Sequence, residues 1–183
     1  MASALGKKSN IRLVGLDLIK VCNHISTLTG WMPTAASIVT IGNVVPDSAH
    51  LIITAPTQTE LMIEEEDTPD LVLNSAGVKY SVEFAVRDMG KSTLFFAFSG
   101  TSAATAAVFN LPVTAYPVRE TALEMYSKTI NGKKLHIQVP RASMAVGGDL
   151  KFARTDTGAL NFTFNIMQPN SSTAITPLKI LQE

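Results

Sequence analysis

The chain has 183 residues, enough for one ordinary domain with a substantial core, and its hydrophobic share of 46% excludes the disordered class. Fifteen acidic and fifteen basic residues cancel, so there is no global field to draw in nucleic acid, and reading along the chain finds no local concentration of cations. A lone cysteine, Cys22, excludes an internal disulfide framework and any multi-cysteine metal site, and is expected to be a small buried residue.

Met1 to Asn10 carries Lys7 and Lys8 but no apolar stretch of signal-peptide length. No window approaches the roughly 20 apolar residues of a membrane span, so no membrane partner and cytosol-like surroundings are expected. Residues 1–183 read as a single domain, with 1–46 as an N-terminal arm plus the first strands and 170–183 as a C-terminal tail.

Ile11 to Ile25 has no clean period and leans to strand. Ser37 to Val45 is rich in β-branched residues and ends at the turn initiator Pro46-Asp47; Leu51 to Thr54 is a second such run, stopped by Ala55-Pro56. Leu61-Met62-Ile63 then leads into the acid run Glu64-Glu65-Glu66-Asp67, which belongs at a strand end or edge. Thr68-Pro69-Asp70 breaks it before Leu71-Val72-Leu73.

Val78 to Arg87 alternates cleanly, with Val78, Tyr80, Val82, Phe84 and Val86 on one side and Lys79, Ser81, Glu83, Ala85 and Arg87 on the other. Asp88 is an N-cap for a helix of about three turns ending at Gly100, with Leu94, Phe95 and Phe98 sharing a face. Leu123 to Ile130, Asn131-Gly132 and Lys133 to Val139 predict a hairpin, because Asn-Gly takes the positive φ that a type I′ turn requires.

From Leu135 to Pro169 two strand-like runs flank a turn at Asp156-Thr157-Gly158. In the second run Leu160, Phe162, Phe164 and Ile166 alternate with Asn161, Thr163 and Asn165, a greasy face against a polar uncharged one. Many short strands against one helix predict a mainly β protein, an antiparallel sandwich or barrel-like fold with a flanking helix and an extended arm or loop.

Catalytic patterns are sparse. His24, His50 and His136 lie far apart in no ligand spacing, and Gly147-Gly148-Asp149 lacks the lysine and the strand-to-helix context of a phosphate cradle, so a loop or turn is expected there. Neither catalytic nor metal nor cofactor residues are assigned. The acid run lacks the alternate ligand spacing and central glycine of a calcium loop. It reads as a charged edge against wrong strand pairing, as a complement to Lys or Arg of another subunit, or as an acidic lining.

The order of elements resembles the major tail tube proteins of tailed bacteriophages, a family that includes the inner tubes of contractile injection systems. The likeness runs from Ala55 to Pro169. It is carried by Ile63-Glu64-Glu65-Glu66, the alternating Tyr80-Ser81-Val82-Glu83-Phe84, Asp88 opening a helix that ends at Gly100, Leu135 to Pro140, Gly147-Gly148-Asp149-Leu150, and Gly158-Ala159-Leu160-Asn161-Phe162-Thr163-Phe164.

The resemblance implies a non-enzymatic virion protein, assembled in the host cytoplasm as hexameric rings that stack into a tube for genome delivery. Its implied partners are further copies of itself, a tape measure protein, tube-end proteins, and double-stranded DNA that passes without specific binding. A lumen that lets DNA pass needs few cations, which makes Ser81, Glu83, Ala85, Asn161, Thr163 and Asn165 the candidate lining. Glu64, Glu65, Glu66 and Asp67 are the candidate inter-subunit or inter-ring residues. Two rival readings are the inner tube of a contractile or secretion machine that delivers protein, and a β-barrel enzyme or ligand-binding module.

Overall fold

The computed structural model describes residues 15–23, 38–56, 58–61, 71–74, 77–88, 90–98, 119–129, 132–152, 157–170 and 175–182. They form β1 (Leu16–Asn23), β2 (Val39–Ile41), β3 (His50–Thr54), β4 (Gln58–Leu61), β5 (Leu71–Asn74), β6 (Lys79–Val86), α1 (Lys91–Phe98), β7 (Arg119–Ser127), β8 (Leu135–Phe152), β9 (Thr157–Ile166) and β10 (Lys179–Gln182). The mainly β, antiparallel class expected from the alternating runs is what the chain adopts, with one helix among the described residues.

One eight-stranded sheet runs β2-β1-β7-β8-β9-β6-β3, with β10 added to β8; β4 and β5 pair separately. The sheet is not closed into a barrel, which corrects the barrel-like alternative. Closure depends on how the two outermost strands meet, a non-local property that alternation cannot report. β1 and β2 bring parts of the expected arm into this sheet, and the expected tail ends in β10.

β8 organises the sheet. Its first residues pair with β7 on one side and β10 on the other, and its later residues pair with β9. Between Leu123↔Val139 and Thr121↔Ala142 the register shifts, so that Pro140 and Arg141 together oppose Ala122. That is a β-bulge, one of the few places inside a sheet where proline, lacking an N–H, is tolerated. Arg141 locks the bulge: its Nε and one terminal nitrogen donate to the two carboxylate oxygens of Glu120 at 2.9 and 2.6 Å. The other terminal nitrogen donates to the Gln168 carbonyl and to Asn170 Oδ1.

The core lies on one face. Val82, Phe84 and Val86 of β6 meet Leu160, Phe162 and Phe164 of β9, joined by Ile19, Val21, Leu123, Met125, Val139 and Met144. Phe84 stacks on both Phe162 and Phe164, with ring centroids 5.4 and 5.5 Å away, close to the preferred spacing of offset aromatic pairs.

Helix α1 packs on this core through Thr93, Phe96 and Ala97, with Leu94 and Phe98 at the margin, while Phe95 is 48% exposed. The buried face is therefore rotated from the expected Leu94, Phe95 and Phe98. Arg119 contacts the buried side: its guanidinium lies over the Phe96 ring at 5.2 Å, donates to the Phe96 carbonyl, and donates to Asn23 Oδ1 at 2.8 Å. Asp88 acts one turn ahead of the helix, accepting from the Gly90 N–H and the Thr93 hydroxyl, while the Gly90 carbonyl takes the first helical bond from Leu94. Gly100, the expected helix end, lies outside the described residues.

Two turns move. Gly147 and Gly148 are not a loop but lie within β8, opposite Asn161 and Leu160. A Cβ on Gly148 would sit 2.5 Å from the Ala159 carbonyl oxygen, so glycine serves close backbone approach inside a strand. Thr157 and Gly158, expected in a turn, belong to β9, and residues 153–156, between β8 and β9, lie outside the described residues. β7 and β8 do form a hairpin, but the strands end at Ser127 and begin at Leu135, and Tyr126 opposite His136 is not the register that a two-residue Asn131-Gly132 turn would set; Gly132 has φ 74°, and Ile130 and Asn131 lie outside the described residues.

Truncating the aromatic stack, Phe162→Ala, is expected to cost about 3–5 kcal/mol, read as a lower denaturation midpoint at unchanged slope. A loss under 1 kcal/mol would contradict this account of the core.

Candidate functional site: a neutral strand face

The ladder that buries Phe84, Phe162 and Phe164 aligns their neighbours on the opposite face. Ser81 lies across from Asn165, Glu83 from Thr163 and Ala85 from Asn161, so the structure gathers all six sequence-chosen lining candidates into one patch. β8 adds a third row that the sequence reading missed: Ser143 beside Asn165, Ala145 beside Thr163, and Gly147 beside Asn161. Gly147 was hidden by its reading as a loop; the alternation of Ser143, Ala145 and Gly147 in the sequence was the available signal. β3 flanks the patch with Ile52 opposite Ser81 and His50 opposite Glu83.

Three positions on each of three strands cover roughly 10 by 14 Å between atom rows at ordinary strand spacing and rise. Every side chain on them is small or a short amide, apart from Glu83. Lys79 and Arg87 mark the two ends of the β6 row, outside the patch. Asn161 and Asn165 are exposed and the others on β6 and β9 half-buried. The nine positions present hydrogen-bonding groups and one carboxylate to whatever passes, while Arg141, two residues before Ser143 on β8, and its partner Glu120, opposite Ser143 on β7, border the patch.

The far half of the sheet differs. On β1, β7, β8 and β10 one row reads Lys20, Glu124, Gln138, Lys179. Glu124 is 9% exposed and accepts from Gln138 Nε2 at 3.2 Å and from the Tyr126 hydroxyl at 3.3 Å, with His136 Nε2 3.5 Å away. Tyr126 stacks on His136 at 4.1 Å, and the ammonium groups of Lys20 and Lys134 lie 5.4 and 4.9 Å from the Tyr126 ring. Here the chain does concentrate cations, contrary to the linear reading, because the topology joins residues far apart in sequence. The missed signal was the absence of any Asp or Glu from Met125 to Gly148, a stretch holding Lys128, Lys133, Lys134 and Arg141.

His50 is exposed on β3 and His136 is buried on β8; His24 lies outside the described residues, as do Glu64, Glu65, Glu66 and Asp67. Among the described residues no group of three or more His, Cys, Asp or Glu is placed to hold a metal. A cavity of about 440 Å³ opens between the β1, β7 and β8 ends and the segment before β3. Its floor includes Leu16, Leu51, Met125 and Ile137, with Asp47 and Lys128 also lining it.

Cys22 is buried beside Ala122, and burial, then the nearby Glu124 charge, pushes its thiol up to about 11. Burial also lowers the Arg119 guanidinium. No protein-family model matches the chain, and no curated protein does.

A buried thiol whose value is pushed up to about 11 should react with a disulfide reagent at pH 8 at least about tenfold more slowly in the native protein than in the unfolded chain, which the rate of colour release measures. Because its folded value is raised, its contribution to stability is complete below pH 9 and is lost as pH climbs to about 11.

Proposed function

We propose that the chain is a structural tube subunit of the phage tail tube kind, assembling as rings, expected to be hexameric, that stack into a conduit for double-stranded DNA. The observation that carries this is the neutral face: Ser81, Glu83, Ala85, Asn161, Thr163 and Asn165 side by side on paired strands, extended by Ser143, Ala145 and Gly147. Duplex DNA is held wherever Lys and Arg neutralise phosphates. A passage therefore works best when lined by small uncharged groups and an occasional carboxylate. Within the nine positions the one charge is the Glu83 carboxylate, which does not hold phosphate.

The sheet edge supplies a second support. β3 forms one end of the sheet order, and Ile52 and Ile53 on it are 38% and 61% exposed. An exposed strand edge with apolar side chains and no lysine or proline invites another strand. A ring of copies joined edge to edge would cover it. In this reading the tape measure and tube-end proteins are further partners, and the protein performs no catalysis.

The cavity near Leu51 and Met125 supports a second reading, a small-ligand module, since its volume falls in the range of small-molecule pockets. Electron microscopy separates the two: purified protein should form rings or tubes as concentration rises, whereas a ligand module stays monomeric. A map of the tube should place Asn161 and Thr163 toward the channel; Phe162 and Phe164 facing it would overturn the proposal.

Glu83→Lys should leave tube assembly within about twofold of wild type while making tubes retain DNA in a salt-dependent manner. Defective assembly, or tubes that release DNA normally, would contradict the assignment of this face.

A further inference from the structure

Helix α1 carries an aromatic knob. Phe95 is 48% exposed, although Thr93, Phe96 and Ala97 of the same helix are buried. The helix is held beside the last residue of β1 and the first of β7, because Arg119 donates both to the Phe96 carbonyl and to Asn23. The cavity opens at the other ends of those two strands, where Gly15, Leu16, Ser127 and Lys128 line it. The eight residues of β1 put about 23 Å between the helix anchor and that wall of the cavity. Phe95 does not reach its own cavity.

Knob and cavity are nevertheless complementary. About 440 Å³ lie open over an apolar floor that includes Leu51, Met125 and Ile137, ample for a phenyl ring, since a cavity of about 150 Å³ holds benzene. Asp47 and Lys128 stand at the cavity, and Arg87 with Asp88 stand just ahead of the helix. Each side thus offers one acid and one base, and seating the knob brings no block of like charge together. We infer that Phe95 of one copy inserts into the cavity of the next copy. The inference rests on the tube reading and names the joint between stacked rings.

Three physical points select a second copy as the occupant. A knob and a pocket at separate places on one chain make a heterologous contact, which grows head to tail. Rings joined through strand edges leave their strand ends to meet the ring above or below, and the cavity lies at such ends. An aromatic anchor in a desolvated pocket is also the kind of contact that carries most of an interface's free energy. A free small molecule would account for the cavity but leave Phe95 in water.

The test is a mutant cycle in the full-length protein. Phe95→Ala removes the knob, and Ala49→Trp, at an exposed position lining the cavity, fills the pocket; the third protein carries both changes. Melting curves confirm that each folds, and sedimentation with electron microscopy reads assembly. Each single variant should still form rings but need at least about tenfold more protein than wild type to form tubes. The double variant should need no more than either single one, because both changes break the same joint, whereas independent effects would multiply to about a hundredfold.

Single variants that form tubes at the wild-type threshold, or effects that multiply in the double variant, would overturn the joint while leaving the tube reading intact. A wild-type protein monomeric at every concentration overturns both readings. If that monomer binds an apolar fluorescent dye that Ala49→Trp displaces, the cavity belongs to a ligand module instead.

Discussion

The stacking of Phe84 against Phe162 and Phe164 sets the register of β6 on β9, and that register decides what the outer face contains. Side chains alternate with a period of two, so a slip by one residue would bring Asn161, Thr163 and Asn165 into the core. It would also expose the rings of Phe162 and Phe164. The energy that forbids the slip is the burial of those rings, whereas the surface it protects is polar and contributes little stability of its own. The core and the neutral face thus lie on opposite sides of the same two strands.

β8 carries both halves of the protein's chemistry on one strand. Up to Val139 it belongs to the cationic half with Tyr126, His136 and Gln138; after Ala142 it belongs to the neutral half with Ser143, Ala145 and Gly147. The bulge at Pro140 and Arg141 separates them, and the Arg141–Glu120 pair with the bonds to Gln168 and Asn170 holds the bend in place. A planar guanidinium suits this post because it bonds two partners in fixed directions at once.

What the sequence made legible was local. The alternation in Lys79 to Val86 and in Leu160 to Ile166 named the core and the neutral candidates, since period and burial are coupled within a single strand. The helix near Leu94 was legible too, but its buried face was not, because the partners that meet it, Arg119 over Phe96 among them, are distant in sequence. Gly147 and Gly148 were misread for a related reason: glycine is the usual mark of a turn, and inside β8 it is the Ala159 carbonyl of a partner strand that requires it at Gly148. The cationic half required Lys20 and Lys179, at opposite ends of the chain, to share one row of the sheet, which no window of sequence displays.

β1 sits between β2 and β7, and Cys22 meets Ala122 across 100 residues of chain. A ribosome has therefore to deliver most of the protein before β1 finds the strand that covers its Ile19 and Val21. Closing so long a loop is slow compared with local pairing. Until then an apolar segment near the start of the nascent chain, paired with no more than the short β2, waits with its β7 edge open, the condition under which unfinished sheets associate wrongly. The interval between synthesis of Leu16 and of Ser127 is when this fold most depends on protection by the cell.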